Sequence, residues 1–118
     1  MQATDKIAAV EKYIQAFATT DMNLIKDIYA EDATVEDPVG SEVRHGIAAI
    51  VEFYQQAFGA GATLELTGPA RCAGNAVAFP FCVRVTGMTI HAIDVFDFNI
   101  GGKVVSMKAY WGPENITA

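Results

Sequence analysis

Apolar residues recur every three or four positions in the first half of the chain and every two positions in the second. The first pattern belongs to helices with one apolar face and the second to strands with alternating faces. Residues 4–18 carry Ile7, Val10, Ile14 and Phe17 on one helical stripe, with Tyr13 at its border and Thr4 or Asp5 as the expected cap. Thr19, Thr20 and Asp21 break the pattern and start a shorter helix holding Leu24, Ile25, Ile28 and Tyr29. Thr34 to Glu36 reads as a short extended piece, Asp37 is driven from helical conformation by Pro38, and Gly40 and Ser41 turn the chain. A third helix follows, with Ile47, Ile50, Val51, Tyr54 and Phe58 inward and Gly59 as its stop. From residue 62 the period is two. "TLELTG", "AVAFPFCVRV", "TIHAIDVFDFNI" and "KVVSMKAYW" predict about four strands joined by short turns. Pro80 suits an edge or a bulge.

Three helices followed by strands predict an α+β fold, a single domain over residues 1–118. The expected architecture is three N-terminal helices packed on a strongly curved, mostly antiparallel sheet, forming a cone with an apolar pocket. Composition sharpens this. The chain is 52% hydrophobic and 19% charged, apolar enough to enclose a cavity or to cover a face with a second subunit. Eight basic residues stand against fourteen acidic ones, without a cluster that would track phosphates, so nucleic acid is not an expected partner. No stretch approaches the length of a membrane span and no leader pattern is present, which makes the cytoplasm the expected location. Cys72 and Cys82 read as small hydrophobes in or near strands; their spacing alone would allow a disulfide, but nothing else in the sequence points to an oxidising compartment. His45 and His91 have no metal-ligand spacing with them, and neither a metal nor a cofactor is expected.

Some polar residues occupy places where the pattern calls for apolar ones. Ile90, Ala92, Asp94, Phe96 and Phe98 share one side of a strand, so Asp94 stands on an apolar face. It is either the wet end of an edge strand or an acid held neutral as a hydrogen-bond donor. An ionised carboxylate buried without a partner costs several kcal/mol. Asp97 lies on the opposite side, as an ordinary surface acid or a partner for Arg84 or Lys108. Tyr13, Tyr29 and Tyr54 lie on or beside helix stripes, where a phenol is either core with a satisfied hydroxyl or part of a site. Asp37 either initiates a turn or works in one. Two carboxylates and several phenols around one apolar cavity would suit proton transfer at a carbon next to a carbonyl. One acid takes the proton while donors stabilise the enolate oxygen.

The segments "YIQAF", "IYAEDATVEDPVGS", "HGIAAIVEFYQQ", "LTGPAR", "AIDVFDF" and "GKVVSMKAYWG" resemble the bacterial steroid Δ5-3-ketoisomerase family, within the nuclear-transport-factor-2-like superfamily. The resemblance runs over nearly the whole chain, with a shorter connection, "VTGMT", between Phe81 and Asp94. It implies isomerisation of a Δ5-3-ketosteroid to the conjugated Δ4-3-ketosteroid without a cofactor. Asp37 is implied as the general base moving a proton from C4 to C6, and Tyr13 and protonated Asp94 as the oxyanion hole. Tyr54 and Tyr29 are implied as the network behind Tyr13. Trp111, Phe79, Phe81, Val83 and Met107 are implied as substrate contacts, with Trp111 donating to Asp37. A homodimer packed through the outer sheet face is implied as well. The competing readings are a non-catalytic binding protein for an apolar ligand and a cyclase or dehydratase of the same superfamily. The latter usually wants a histidine beside an acid, and neither His45 nor His91 is placed for that.

Overall fold

The computed structural model describes residues 1–118. Helix α1 (Ala3–Thr19) packs with α2 (Met22–Ile28), which runs directly into strand β1 (Tyr29–Glu36). A short strand β2 (Arg44–His45) precedes α3 (Ile47–Gly59). The second half supplies β3 (Thr63–Leu66), β4 (Arg71–Ala73), β5 (Ala76–Val85), β6 (Met88–Phe98), β7 (Val104–Tyr110) and, after a 3₁₀ turn, β8 (Ile116–Thr117). No helix is long and apolar enough to cross a membrane.

The strand order is β2-β1-β7-β6-β5-β3, with β4 pairing β5 and β8 pairing β6. The expected cone is not formed: the sheet is open and mixed and does not curl shut. Its path ends in the separate edges β2 and β3, and β1 runs parallel to β7. Closure needs a ladder that continues from edge to edge with steady tilt and stagger. Two-residue β2 offers no such ladder. Helices α1 and α3 cover one face instead. Val10, Tyr13, Phe17, Ile50 and Tyr54 bury against Phe79, Phe96, Val104 and Met107 of the sheet.

Local chemistry accounts for the departures from the predicted pattern. The cap of α1 is Gln2, and Asp5 completes a capping box by accepting from the Gln2 N–H at 3.0 Å. At the start of this helix Lys6 is buried and Ile7 exposed, because the Lys6 ammonium reaches the Gly74 carbonyl at 2.5 Å. Tyr29 opens β1 rather than ending a helix. A register shift between Tyr29 and Thr34 throws Glu31 and Asp32 outward, which erases the alternation that would have marked β1 from its start. Pro80 is within a long strand, at the point where β5 changes neighbour from β4 to β3. The Pro80 carbonyl accepts from Thr67 N–H on that side, so the missing proline N–H faces a gap in the ladder. The β5–β6 hairpin closes over Thr86 and Gly87, and Gly87 takes a φ of 81°, as the third position of a type II turn requires. Arg84 pairs with Glu65 at 3.3 Å, not with Asp97. Both cysteines are free thiols, and Cys82 is buried.

Candidate active site

A cavity of about 190 Å³ lies between the helices and the inner face of the sheet. Tyr13 and Phe17 come from α1, Phe53, Tyr54 and Ala57 from α3, and Leu64, Phe81, Val83, Ile90, Ala92 and Ala109 from the sheet. Trp111 and Asp37 complete the lining, and Asp37 is the one charged residue in it. Such a surface, apolar with a few convergent polar groups, fits a small ligand with few polar atoms.

Asp37 follows the last residue of β1, at a cis bond to Pro38. Its loop is tied at three points. Gly40 N–H donates to the Glu36 carboxylate at 2.8 Å, Ser41 Oγ donates to the Pro38 carbonyl at 2.6 Å, and Val39 N–H donates to the Ala109 carbonyl at 2.8 Å. Trp111 Nε1–H donates to Asp37 Oδ1 at 2.7 Å across 74 residues of sequence. Burial raises the Asp37 pKa above its ordinary value, while the Trp111 hydrogen bond and the positive charge of Arg44 work against that rise.

Asp94 lies one step behind the cavity wall. It is 1% exposed. Its cross-strand neighbours are Phe79 on β5 and Ala109 on β7, and Ala92, two residues back on the same face, lines the cavity. Neither carboxyl oxygen has a hydrogen-bond partner in the protein. Burial holds its pKa well above the carboxylate range, and the Asp37 charge pushes it further up. The nearby Tyr13 hydroxyl offsets a part of this. A neutral carboxyl carries an O–H to donate, and burying it without an acceptor costs about 1–3 kcal/mol. Buried polar groups in folded proteins are rarely left that way without a reason.

The three phenols form a chain. Tyr54 Oη lies 3.1 Å from Tyr13 Oη and 2.6 Å from Tyr29 Oη, all three fully enclosed. Burial raises each phenol well above its ordinary pKa, so all three are neutral donors near pH 7. Edge-on contacts with Phe17, Phe79 and Phe96 hold the Tyr13 ring in place.

Asp37, Tyr13, Tyr54 and Trp111 therefore share one cavity, with Asp94 and Tyr29 immediately behind it. Phe81 and Val83 line it, whereas Phe79 and Met107 are core residues at 0% exposure and do not reach it. Sequence reasoning missed Phe17, Phe53, Ala57, Leu64, Ile90, Ala92 and Ala109 in the lining. Phe17 and Ala57 stand four and three residues after Tyr13 and Tyr54 on the same helix faces, so helical spacing was a usable signal.

Helices over one face of an open sheet, with acids and phenols at the inner side of an apolar cavity, define an enzyme site of the nuclear-transport-factor-2-like class. A family model described as SnoaL-like domain matches residues 10–107. A curated relative, "Steroid Delta-isomerase" of Nocardioides simplex, is 41% identical over 110 residues, covering 90% of this chain and 89% of the relative. Among solved structures, an epoxide hydrolase/cyclase-like enzyme, SalBIII, described in pyran ring formation in the polyether salinomycin, is similar with a TM-score of 0.92 and 31% identity. That likeness covers 100% of this chain and 99% of the other. The chain belongs to the SnoaL-like, ketosteroid-isomerase-like family of this superfamily, and it is an enzyme whose cavity suits a small apolar ligand.

Proposed function

We propose that the protein is a steroid Δ-isomerase that converts a Δ5-3-ketosteroid to its conjugated Δ4 isomer. The observation that carries this reading is Asp94, a buried, unpartnered carboxyl held neutral beside Tyr13. In the proposed reaction the C3 carbonyl oxygen sits against Tyr13 and Asp94. Asp37, ionised and oriented by Trp111, takes the C4 proton as electron density moves onto that oxygen. The two donors stabilise the dienolate, and Tyr54 and Tyr29 align the Tyr13 hydroxyl from behind. Protonated Asp37 then returns the proton at C6, and the C3 carbonyl reforms with the double bond in conjugation. The 41% identity to a protein named steroid Δ-isomerase supports the same reading. We also infer that two copies pair through the outer sheet face, where Ile93 and Tyr110 stand opposite each other, 47% and 48% exposed.

The test is the ultraviolet absorbance of the conjugated product after addition of a Δ5-3-ketosteroid. Turnover above the buffer rate is expected, and Asp37→Asn is expected to lose at least about 10²-fold while still binding the steroid. No acceleration by the unaltered protein would end the isomerase reading. The likeness to an epoxide hydrolase/cyclase-like enzyme supports a second reading. The same neutral acid and charged acid could open an epoxide, Asp94 donating to the epoxide oxygen while Asp37 accepts a proton from an attacking hydroxyl. Turnover of a hydroxy-epoxide, with none of the ketosteroid, would decide for it.

A further inference from the structure

Asp37 presents a physical problem that the proposed reaction does not solve by itself. A general base must be ionised, yet this one lies in an otherwise uncharged, largely apolar cavity. The Trp111 hydrogen bond helps but carries no charge. A cation on the same side of the sheet would.

Arg44 stands there. It is opposite Val35 in the β1–β2 pair, and residues directly opposite share a face. Val35 is fully buried, so this is the inward face, and Asp37 follows two residues later. Arg44 thus stands at the end of the pair from which the Asp37 loop departs. The Arg44 guanidinium lies 4.7 Å from the centre of the Phe53 ring, and Phe53 is part of the cavity wall. Its Nη1 donates to the Glu42 carbonyl at 3.1 Å. It makes no ion pair of its own, although the chain has fourteen acidic residues and eight basic ones.

We propose that Arg44 is a positioning residue for the general base, seated on Phe53 so that its charge keeps Asp37 ionised inside the apolar cavity. The inference rests on reading Asp37 as the base. The electrostatic balance agrees: burial drives the Asp37 pKa up, and Trp111 and then Arg44 oppose it. The other groups acting on the same site are Tyr13 on α1, Tyr29 on β1, Tyr54 on α3 and Asp94 on β6, none of them cationic. Glu36 is turned to the Gly40 N–H, and Glu42 and Glu52 border Arg44 from outside. Arg44 is thus the one positive charge that opposes the rise at Asp37.

The molecule carries its own reporter. Trp111 is the only tryptophan, so its indole N–H gives one unambiguous proton–nitrogen NMR peak, and that N–H is bonded to Asp37. The peak should titrate with Asp37, and Asp37→Asn, which lacks the step, assigns it. In Arg44→Gln the midpoint should move to higher pH, while Arg44→Lys, which keeps the charge, should stay near the unaltered protein. In 1 M salt the unaltered protein should shift toward Arg44→Gln, because Arg44 is only half-buried. Coincident midpoints in folded Arg44→Gln and unaltered protein would overturn the proposal. The kinetic counterpart is a loss of kcat/KM in Arg44→Gln that is largest at low pH and vanishes as pH rises past the new midpoint. A loss of equal size at every pH would indicate a purely structural role and would also overturn it. If the ketosteroid is not turned over at all, the isomerase reading falls, and the indole titration still decides what Arg44 does.

Discussion

Among single residues, Asp94 links burial to chemistry most directly. Its neutrality follows from burial, and its value as a donor follows from neutrality. Asp94→Asn keeps an N–H to donate and Asp94→Ala keeps nothing. The first should retain clearly more kcat than the second, with the alanine variant losing about 10²–10³-fold, the loss typical of removing one oxyanion donor. Equal losses would argue against a donor role. The same group makes a prediction about stability. Its pKa is raised in the folded state, so above the ordinary carboxylate pKa the folded protein binds more protons at this site than the unfolded chain does. Its contribution is full below that ordinary value and is lost as pH rises toward the folded-state value. Asp94→Asn does not titrate. Thermal unfolding followed from pH 4 to pH 8 should therefore show the melting temperature of the variant gaining steadily on that of the unaltered protein. Each kcal/mol of difference amounts to roughly 4 °C in a domain of this size.

At the scale of elements, strand β7 does two jobs. Its Ala109 lines the cavity, stands across from Asp94, and gives its carbonyl to the loop that holds Asp37. The small side chain leaves room for a ligand between the two acids. Ala109→Leu should raise KM at least tenfold, with a stability cost of about 1–3 kcal/mol from overpacking. Steady-state kinetics and denaturant unfolding separate the two effects. The elements also explain what could be read in advance. The face of β6 with Ala92, Asp94, Phe96 and Phe98 was legible because a strand alternates strictly, and all four residues are buried. Strands β2, β4 and β8, two or three residues long, leave no periodicity to detect. The full length of β1 was hidden by its register shift. That Phe79 and Met107 fall in the core, and Phe81 and Val83 at the cavity, depends on how far the helices reach across the sheet, which alternation along a strand does not encode.

The whole molecule is an open sheet with helices on one face, so the other face is left to solvent or to a partner. Ile93 on β6 and Tyr110 on β7 stand opposite each other there, both half-exposed. If this face joins two copies, sedimentation velocity should give a dimer, and Ile93→Lys should give a folded monomer, since a lysine buried in an apolar interface would have no partner. A monomer before substitution would remove this reading and leave the cavity unaffected.

The parallel pairing of β1 with β7 also bears on how the molecule is made. β7 lies between β1 and β6, joining Tyr29 to Val104 on one side and Asp94 to Ala109 on the other. A growing chain that has released residues 1–100 holds nearly every side chain discussed above, yet β1 and β6 have no common neighbour. Both then expose unpaired backbone edges, which invite pairing with other chains. Contacts this distant in sequence form late, after the entropy of closing a long loop has been met. The cavity is thus completed by β7 and by Trp111 just after it. Ribosome-stalled chains ending before Val104 should be sensitive to protease and prone to aggregation, while extension past Trp111 should bring protection and the acid–indole contact together.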